Sequence, residues 1–143
     1  MGARRRARER AIQILYQMDI SGDSPENVLK LYWRMHPPKS EDVRKYTLFL
    51  FEGTVNNLKR IDELIVKYSK NWKLSRMPVV DRNILRLAVF ELLYEDDVPP
   101  SVAINEALEI ARRFSTEDST QFINGVLDAI NKDFLSSKEK KGE

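Results

Sequence analysis

The chain has 143 residues, 42% of them hydrophobic and 32% charged, with a formal net charge of +2. That length suits one domain with a sizeable core. There is no cysteine, which excludes disulfides, thiolate metal sites and thiol catalysis, and no apolar run is long enough to span a membrane or read as a secretory signal, a pattern that fits a cytoplasmic protein.

Nearly every apolar run has the 3.6-residue period of a helix and none alternates strictly, so the expected fold class is all-α with seven helices. The first helix is expected over about Arg4 to Asp19. The first ten residues carry five arginines and one glutamate, +4, which leaves −2 for the other 133. Positive charge concentrated in this way is the footprint of a polyanion binder, most often of nucleic acid. Ala7, Ala11, Ile14, Leu15 and Met18 form a stripe that faces the core. Arg5, Arg6, Gln13 and Tyr16 fall together on the other side at about 100° per residue. Arginine can hold phosphates there, tyrosine can stack on a base, and glutamine can read a base edge. The same residues also fit a solvated charged face with a half-buried tyrosine, and the pattern alone leaves both readings open.

Ser24 caps a second helix with Pro25 at its first position, ending before His36-Pro37-Pro38. Ser40 caps a third, with Glu41 and Asp42 in its first turn, that runs to about Asn56. Asn56-Asn57 mark a break. The fourth helix shows apolar residues spaced 3-4-3-4, Leu58, Ile61, Ile65, Tyr68 and Trp72. The fifth, about Val79 to Tyr94, has little polar face and is expected to be the central, buried helix. The sixth holds Ala103, Ala107, Ile110, Ala111 and Phe114. The seventh starts at the capping-box-like Ser115-Thr116-Glu117-Asp118 and buries Ile123, Val126, Leu127 and Ile130. Residues 136–143 read as a charged tail.

Catalytic chemistry is hard to place. His36, the only histidine, sits before two prolines in a loop with no partner at a suggestive spacing. There is no glycine-rich phosphate loop and no metal-ligand spacing, so no enzyme activity, cofactor or metal is expected. Asp81-Arg82 and Asn105-Glu106, at helix starts, read as caps and surface pairs before binding residues. Gly125 lies inside the last helix, where glycine is about 1 kcal/mol less favourable than alanine; close helix packing is the favoured reason over close approach of a ligand.

Three segments together carry a resemblance. They are Ala3-Arg4-Arg5-Arg6-Ala7-Arg8-Glu9 through Leu15-Tyr16; Val80-Asp81-Arg82-Asn83-Ile84-Leu85-Arg86-Leu87-Ala88 with Glu91-Leu92-Leu93; and Val102-Ala103-Ile104-Asn105-Glu106-Ala107 running on to Phe122-Ile123-Asn124-Gly125-Val126-Leu127-Asp128. In this order and spacing the chain, from about Ala3 to Asp128, resembles the NusB family of bacterial transcription antitermination factors. The resemblance implies two small helical bundles packed together, here about residues 1–57 and 58–135 of a single domain 1–135. It implies binding to the single-stranded boxA element of ribosomal RNA leader transcripts. It also implies pairing with NusE, a small-subunit ribosomal protein, and assembly with other Nus factors on the RNA polymerase elongation complex. Homodimerisation of the free protein stays open.

By position, the family's arginine-rich start matches Arg4, Arg5, Arg6 and Arg8, and its RNA-facing helix matches Gln13 and Tyr16. Its Glu-Asp-Ser…Phe stretch near RNA matches Glu117, Asp118, Ser119 and Phe122. The partner surface lies on the carboxy-terminal bundle, with Asp81 as the candidate contact. Two other readings belong to different classes: an RNA-targeting module like the amino-terminal domain of ribosomal RNA cytosine methyltransferases, and a helical adaptor whose arginines meet acidic protein. No catalytic domain accompanies the helices here, which weighs against the first.

Overall fold

Eleven of the sixteen residues of one helix, Val79–Tyr94, are buried, and the other helices are arranged around it. The computed structural model describes residues 2–70 and 72–141, with side chains described through Phe134. The helices are α1 (Ala3–Ser21), α2 (Pro25–Met35), α3 (Glu41–Asn56), α4 (Leu58–Tyr68), α5 (Val79–Tyr94), α6 (Pro100–Phe114) and α7 (Glu117–Lys141), with a short 3-10 turn at Leu74–Arg76. No strand occurs among the described residues. The fold is all-α, as the periodicity predicts. α5 contacts α1, α3, α4, α6 and α7, while α1 packs on α2 and α3, and α7 packs on α4 and α6.

Local chemistry sets several boundaries. Ser24 accepts a hydrogen bond from the Asn27 amide at 3.2 Å and Ser40 from Val43 at 3.4 Å, the caps expected at those starts. α1 continues to Ser21, two residues past its expected stop, until Gly22 takes a left-handed conformation and its amide bonds to Met18 O. α3 approaches α5 closely at Gly53, where an added Cβ would lie 2.1 Å from the Phe90 ring. Only glycine allows that packing.

Two expectations are corrected. α4 ends at Tyr68, so Trp72 does not continue its apolar stripe and is 58% exposed. Lys70 turns the chain in a left-handed conformation, φ 56°. The Ser69 hydroxyl lies 3.2 Å from Val66 O and 3.1 Å from Trp72 O and holds that turn. At the other end, α7 runs on to Lys141, so most of the segment read as a tail continues the helix; residues 142–143 lie outside the described residues.

The polar residues of α5 are buried because each is partnered. Arg82 meets Asp19 of α1 with two bonds of 2.6 Å, and Asn83 donates to the same carboxylate at 3.0 Å. Arg86 reaches Asp19 at 3.0 Å and grips Asp62 of α4 at 2.8 and 3.0 Å. One network therefore ties α1 to α4 across α5. Burial opposes ionisation of Asp19, but the hydrogen bonds from Arg82 and Asn83 and the charge of Arg86 hold its carboxyl below the usual range.

Two outcomes follow for stability. Leu85 is fully buried, so Leu85→Ala destabilises by about 2–5 kcal/mol in chemical denaturation; a loss under about 1 kcal/mol contradicts a central α5. The contribution of ionised Asp19 is complete above the unfolded carboxyl value of about 3.9 and is lost as pH falls through the lower folded value. Asp19→Asn therefore lowers the thermal midpoint at pH 7, and its deficit against the unsubstituted chain shrinks once pH drops below about 4.

Candidate nucleic-acid interface

α1 presents two unlike sides because its sequence does. Ala7, Ala11, Ile14 and Leu15 are fully buried, and the opposite side leaves Arg6, Gln13, Tyr16 and Gln17 exposed. The arginines of the first ten residues separate by rotation about the helix. Arg6 is exposed and its side chain has no partner among the described residues. Arg4 is exposed and lies over the Tyr46 ring, 4.8 Å from its centroid, a contact that leaves its N–H donors free for an anion. Arg5 bonds Glu106 at 2.7 Å but keeps 35% exposure; that bond, with the charge of Glu106, raises its pKa. Arg10 reaches the Tyr32 hydroxyl at 3.4 Å.

Arg8 is different, and its place in the expected RNA face is corrected. It is only 3% exposed. Its Nε and Nη2 donate to Glu91 at 2.7 and 2.9 Å, and Nη1 stands 3.7 Å from Glu106. Burial works against its charge, but the Glu91 hydrogen bonds and charge outweigh it and raise the pKa. Held bidentately in the core, the Arg8 guanidinium is out of reach of a phosphate at the surface.

Gln13 and Tyr16 open onto a groove of about 360 Å³, whose other walls include Ile12, Val80, Ile110 and Phe114. The Gln13 amide oxygen accepts from the Tyr32 hydroxyl at 2.7 Å, and its amide NH2 has no partner among the described residues. Tyr16 is 36% exposed and Phe114 47%. Phe114 ends α6 at the surface with the Arg113 guanidinium 5.0 Å from its ring centroid. Arg113 also meets Glu9 of α1 at 2.5 Å. The groove therefore combines two aromatic rings, an apolar floor and an amide, with Arg6 nearby on the same helix face.

At the start of α7, Glu117 and Asp118 are exposed and Ser119 is half-buried. The Ser119 amide donates to Thr116 Oγ1 at 3.0 Å, which makes Thr116 the cap. Two carboxylates repel phosphates, so their use toward RNA is to accept from base amino groups or ribose hydroxyls. Phe122 does not join the Tyr16 groove. It packs edge-on against Trp72, centroids 6.1 Å apart. A Cβ on Gly125 would meet nothing within 4 Å, so helix packing, the expected reason for that glycine, is not the reason.

Asp81 is also corrected. It is 2% exposed and accepts from the Ser115 hydroxyl at 2.5 Å. The carboxylate that reads as a surface contact instead pins the α6–α7 corner to the start of α5. Of the other polar pairs at helix starts, Arg82 is committed to Asp19 and Glu106 to Arg5. Sequence reasoning missed Phe114, Arg113 and the segment 67–76. In that segment Lys67, Lys70, Lys73 and Arg76 surround Tyr68 and Trp72 with no acidic residue between, and this composition was the available signal.

The NusB family model matches residues 5–132. Transcription antitermination protein NusB of Desulforapulum autotrophicum is 48% identical over 131 residues, 91% of this chain and 92% of that protein. Among solved structures, NusB of T. maritima superposes with a TM-score of 0.79 at 41% identity, covering 90% of each chain. A crystal structure of antitermination factors NusB and NusE in complex with dsRNA superposes with a TM-score of 0.84 at 30% identity, covering 92% of this chain and 98% of that one.

The division among the arginines is measurable without RNA. Arg8→Ala leaves Glu91 charged and unpaired in the core and destabilises by about 3–5 kcal/mol. Arg6→Ala changes stability by no more than about 0.5 kcal/mol. Equal, small losses for both in urea denaturation contradict the assignment.

Proposed function

Because the chain belongs to the NusB family, we propose that it is an RNA-binding transcription antitermination factor that takes boxA-type single-stranded RNA together with NusE. In this reading the pair joins other Nus factors on the RNA polymerase elongation complex and suppresses premature termination. The protein acts in the cytoplasm and performs no chemistry on the RNA. Residues 1–57 and 58–135 serve as two lobes joined through α5.

The observation that carries the reading is the outer face of α1. Arg6 is an exposed cation on the same side as an exposed Gln13 and a groove walled by Tyr16 and Phe114, while Arg4 is exposed on the other side of the helix, over Tyr46. Arg4 and Arg6 hold phosphates, with Arg5 contributing from its partly exposed pair. Tyr16 and Phe114 stack bases, and the Gln13 NH2 donates to a base edge. Glu117, Asp118 and Ser119 meet base or ribose groups at the corner. NusE binds the carboxy-terminal bundle, where Asp81 contributes by fixing Ser115 rather than by touching the partner.

The test is a titration of labelled boxA and scrambled RNA, single- and double-stranded, at two salt concentrations. Single-stranded boxA binds most tightly, and NusE tightens it further. Arg6→Ala weakens every RNA and flattens the salt slope by about 0.7. Tyr16→Ala weakens binding by about 1–3 kcal/mol with the slope unchanged. Wild-type affinity in the Tyr16 variant makes Tyr16 a packing residue; wild-type affinity in both variants removes α1 from the site and leaves an adaptor with a protein partner.

A further inference from the structure

The first ten residues hold one acid among five arginines, Glu9, and its carboxylate is turned into the Tyr16 groove. Glu9 lines that groove beside Ile12, Gln13 and Phe114, and its side chain is 16% exposed. It accepts from Arg113 Nη1 of α6 at 2.5 Å. Arg113 itself is half-exposed, and its guanidinium lies over the Phe114 ring that walls the groove. Arg6, on the same side of α1 as Gln13 and Tyr16, has no partner among the described residues. The groove is therefore bordered by one cation with its full charge and by a second whose charge is neutralised.

Folding does not account for this arrangement. An ion pair with a half-exposed member contributes little to stability, and α1 is already seated by its buried stripe and by the Arg8–Glu91 pair. Toward a polyanion the acid is a handicap, because it cancels a charge that would otherwise attract phosphate. The handicap is unequal for different RNAs. A strand held by its backbone alone gains nothing by opening the pair, since one anion replaces another on Arg113 and Glu9 is left without a donor. A strand with a base in the groove brings a phosphate to the rim for Arg113 and a base N–H group for the carboxylate. Only then is each half of the broken pair partnered again. A contact that penalises the wrong ligand more than the right one raises selectivity at the expense of affinity.

We propose that Glu9 is a selectivity residue: it holds Arg113 against RNA that offers phosphates alone, and releases it to a phosphate only when a base in the Tyr16 groove donates to the carboxylate. This assignment rests on the RNA-binding reading above. Glu9 thereby acts against the arginines that surround it in the sequence, and Arg113 is a cation held in reserve.

The experiment titrates labelled boxA RNA and a scrambled single strand of equal length with full-length variants at several salt concentrations. Glu9→Gln frees the Arg113 charge for any strand. Scrambled RNA then binds about fivefold more tightly, with a salt slope steeper by about 0.7, while boxA changes by less than about twofold. The charge-neutral double variant Glu9→Gln/Arg113→Gln binds scrambled RNA within about twofold of the parent, because the closed pair gave that strand nothing. It binds boxA about fivefold more weakly, with a slope shallower by about 0.7. Arg113→Gln alone, at a half-exposed position, also lowers the ratio of boxA to scrambled affinity, and it decides the matter if the Glu9 variants do not fold. Three results overturn the proposal and leave the RNA reading intact: an equal gain for both RNAs in Glu9→Gln, a double variant that matches the parent toward both, or an unchanged ratio in Arg113→Gln. A parent that binds no RNA, or binds boxA no better than the scrambled strand, overturns both.

Discussion

Arg8 enters the core from α1 and meets Glu91 of α5 through two parallel hydrogen bonds. The Tyr46 hydroxyl of α3 donates to the same carboxylate at 3.2 Å, and Glu106 of α6 stands close to the guanidinium. Burial and the Glu91 charge raise the Tyr46 hydroxyl pKa, so it remains a donor at any working pH. Four helices therefore share one desolvated charge pair, and such a pair tolerates little misplacement because either charge alone is expensive in the core. Its consequence reaches the surface. Fixing Arg8 and Ala7 inward sets the rotation of α1, and at about 100° per residue that rotation leaves Arg6, Gln13 and Tyr16 outward.

The same rigidity reaches the α6–α7 corner. Asp81 holds Ser115 from the start of α5, and the Asp19–Arg82–Arg86–Asp62 network ties that start to α1 and α4. Phe114 precedes the corner and borders the Tyr16 groove; Phe122 follows it and packs on Trp72. A single stiff helix thus positions the rings on either side of the corner. Binding surfaces set by a rigid scaffold lose less freedom on meeting an RNA than surfaces on mobile loops.

Much of this was legible in the sequence. The helix count, the caps at Ser24 and Ser40, the span of α5 and the unequal sides of α1 all depend on local patterns, and local patterns are written in adjacent residues. What was not legible depended on distant partners. Arg6 and Arg8 look alike in a run of arginines; only Glu91, 83 positions away, separates a core arginine from a free one. Asp81 looks like a surface cap until Ser115 comes to it. Trp72 fits a heptad-like spacing by coincidence, since the turn at Ser69 and Lys70 breaks the helix without proline or glycine. Gly125 reads as a packing glycine because close packing is the commoner reason for one, and only the empty space beside it shows otherwise.

The most direct measurement of the division between core and surface arginines is the paired replacement Arg8→Met with Glu91→Leu, assayed for stability and for boxA RNA affinity. Replacing both members of a buried pair with apolar side chains is often near neutral, whereas removing one is not. The account predicts that the double variant regains most of the stability lost by Arg8→Met alone and binds RNA within about twofold of the unsubstituted protein. A double variant that folds as stably as the parent yet loses as much RNA affinity as Arg6→Ala would contradict it, because Arg8 would then be an RNA ligand and not the arginine that seats α1.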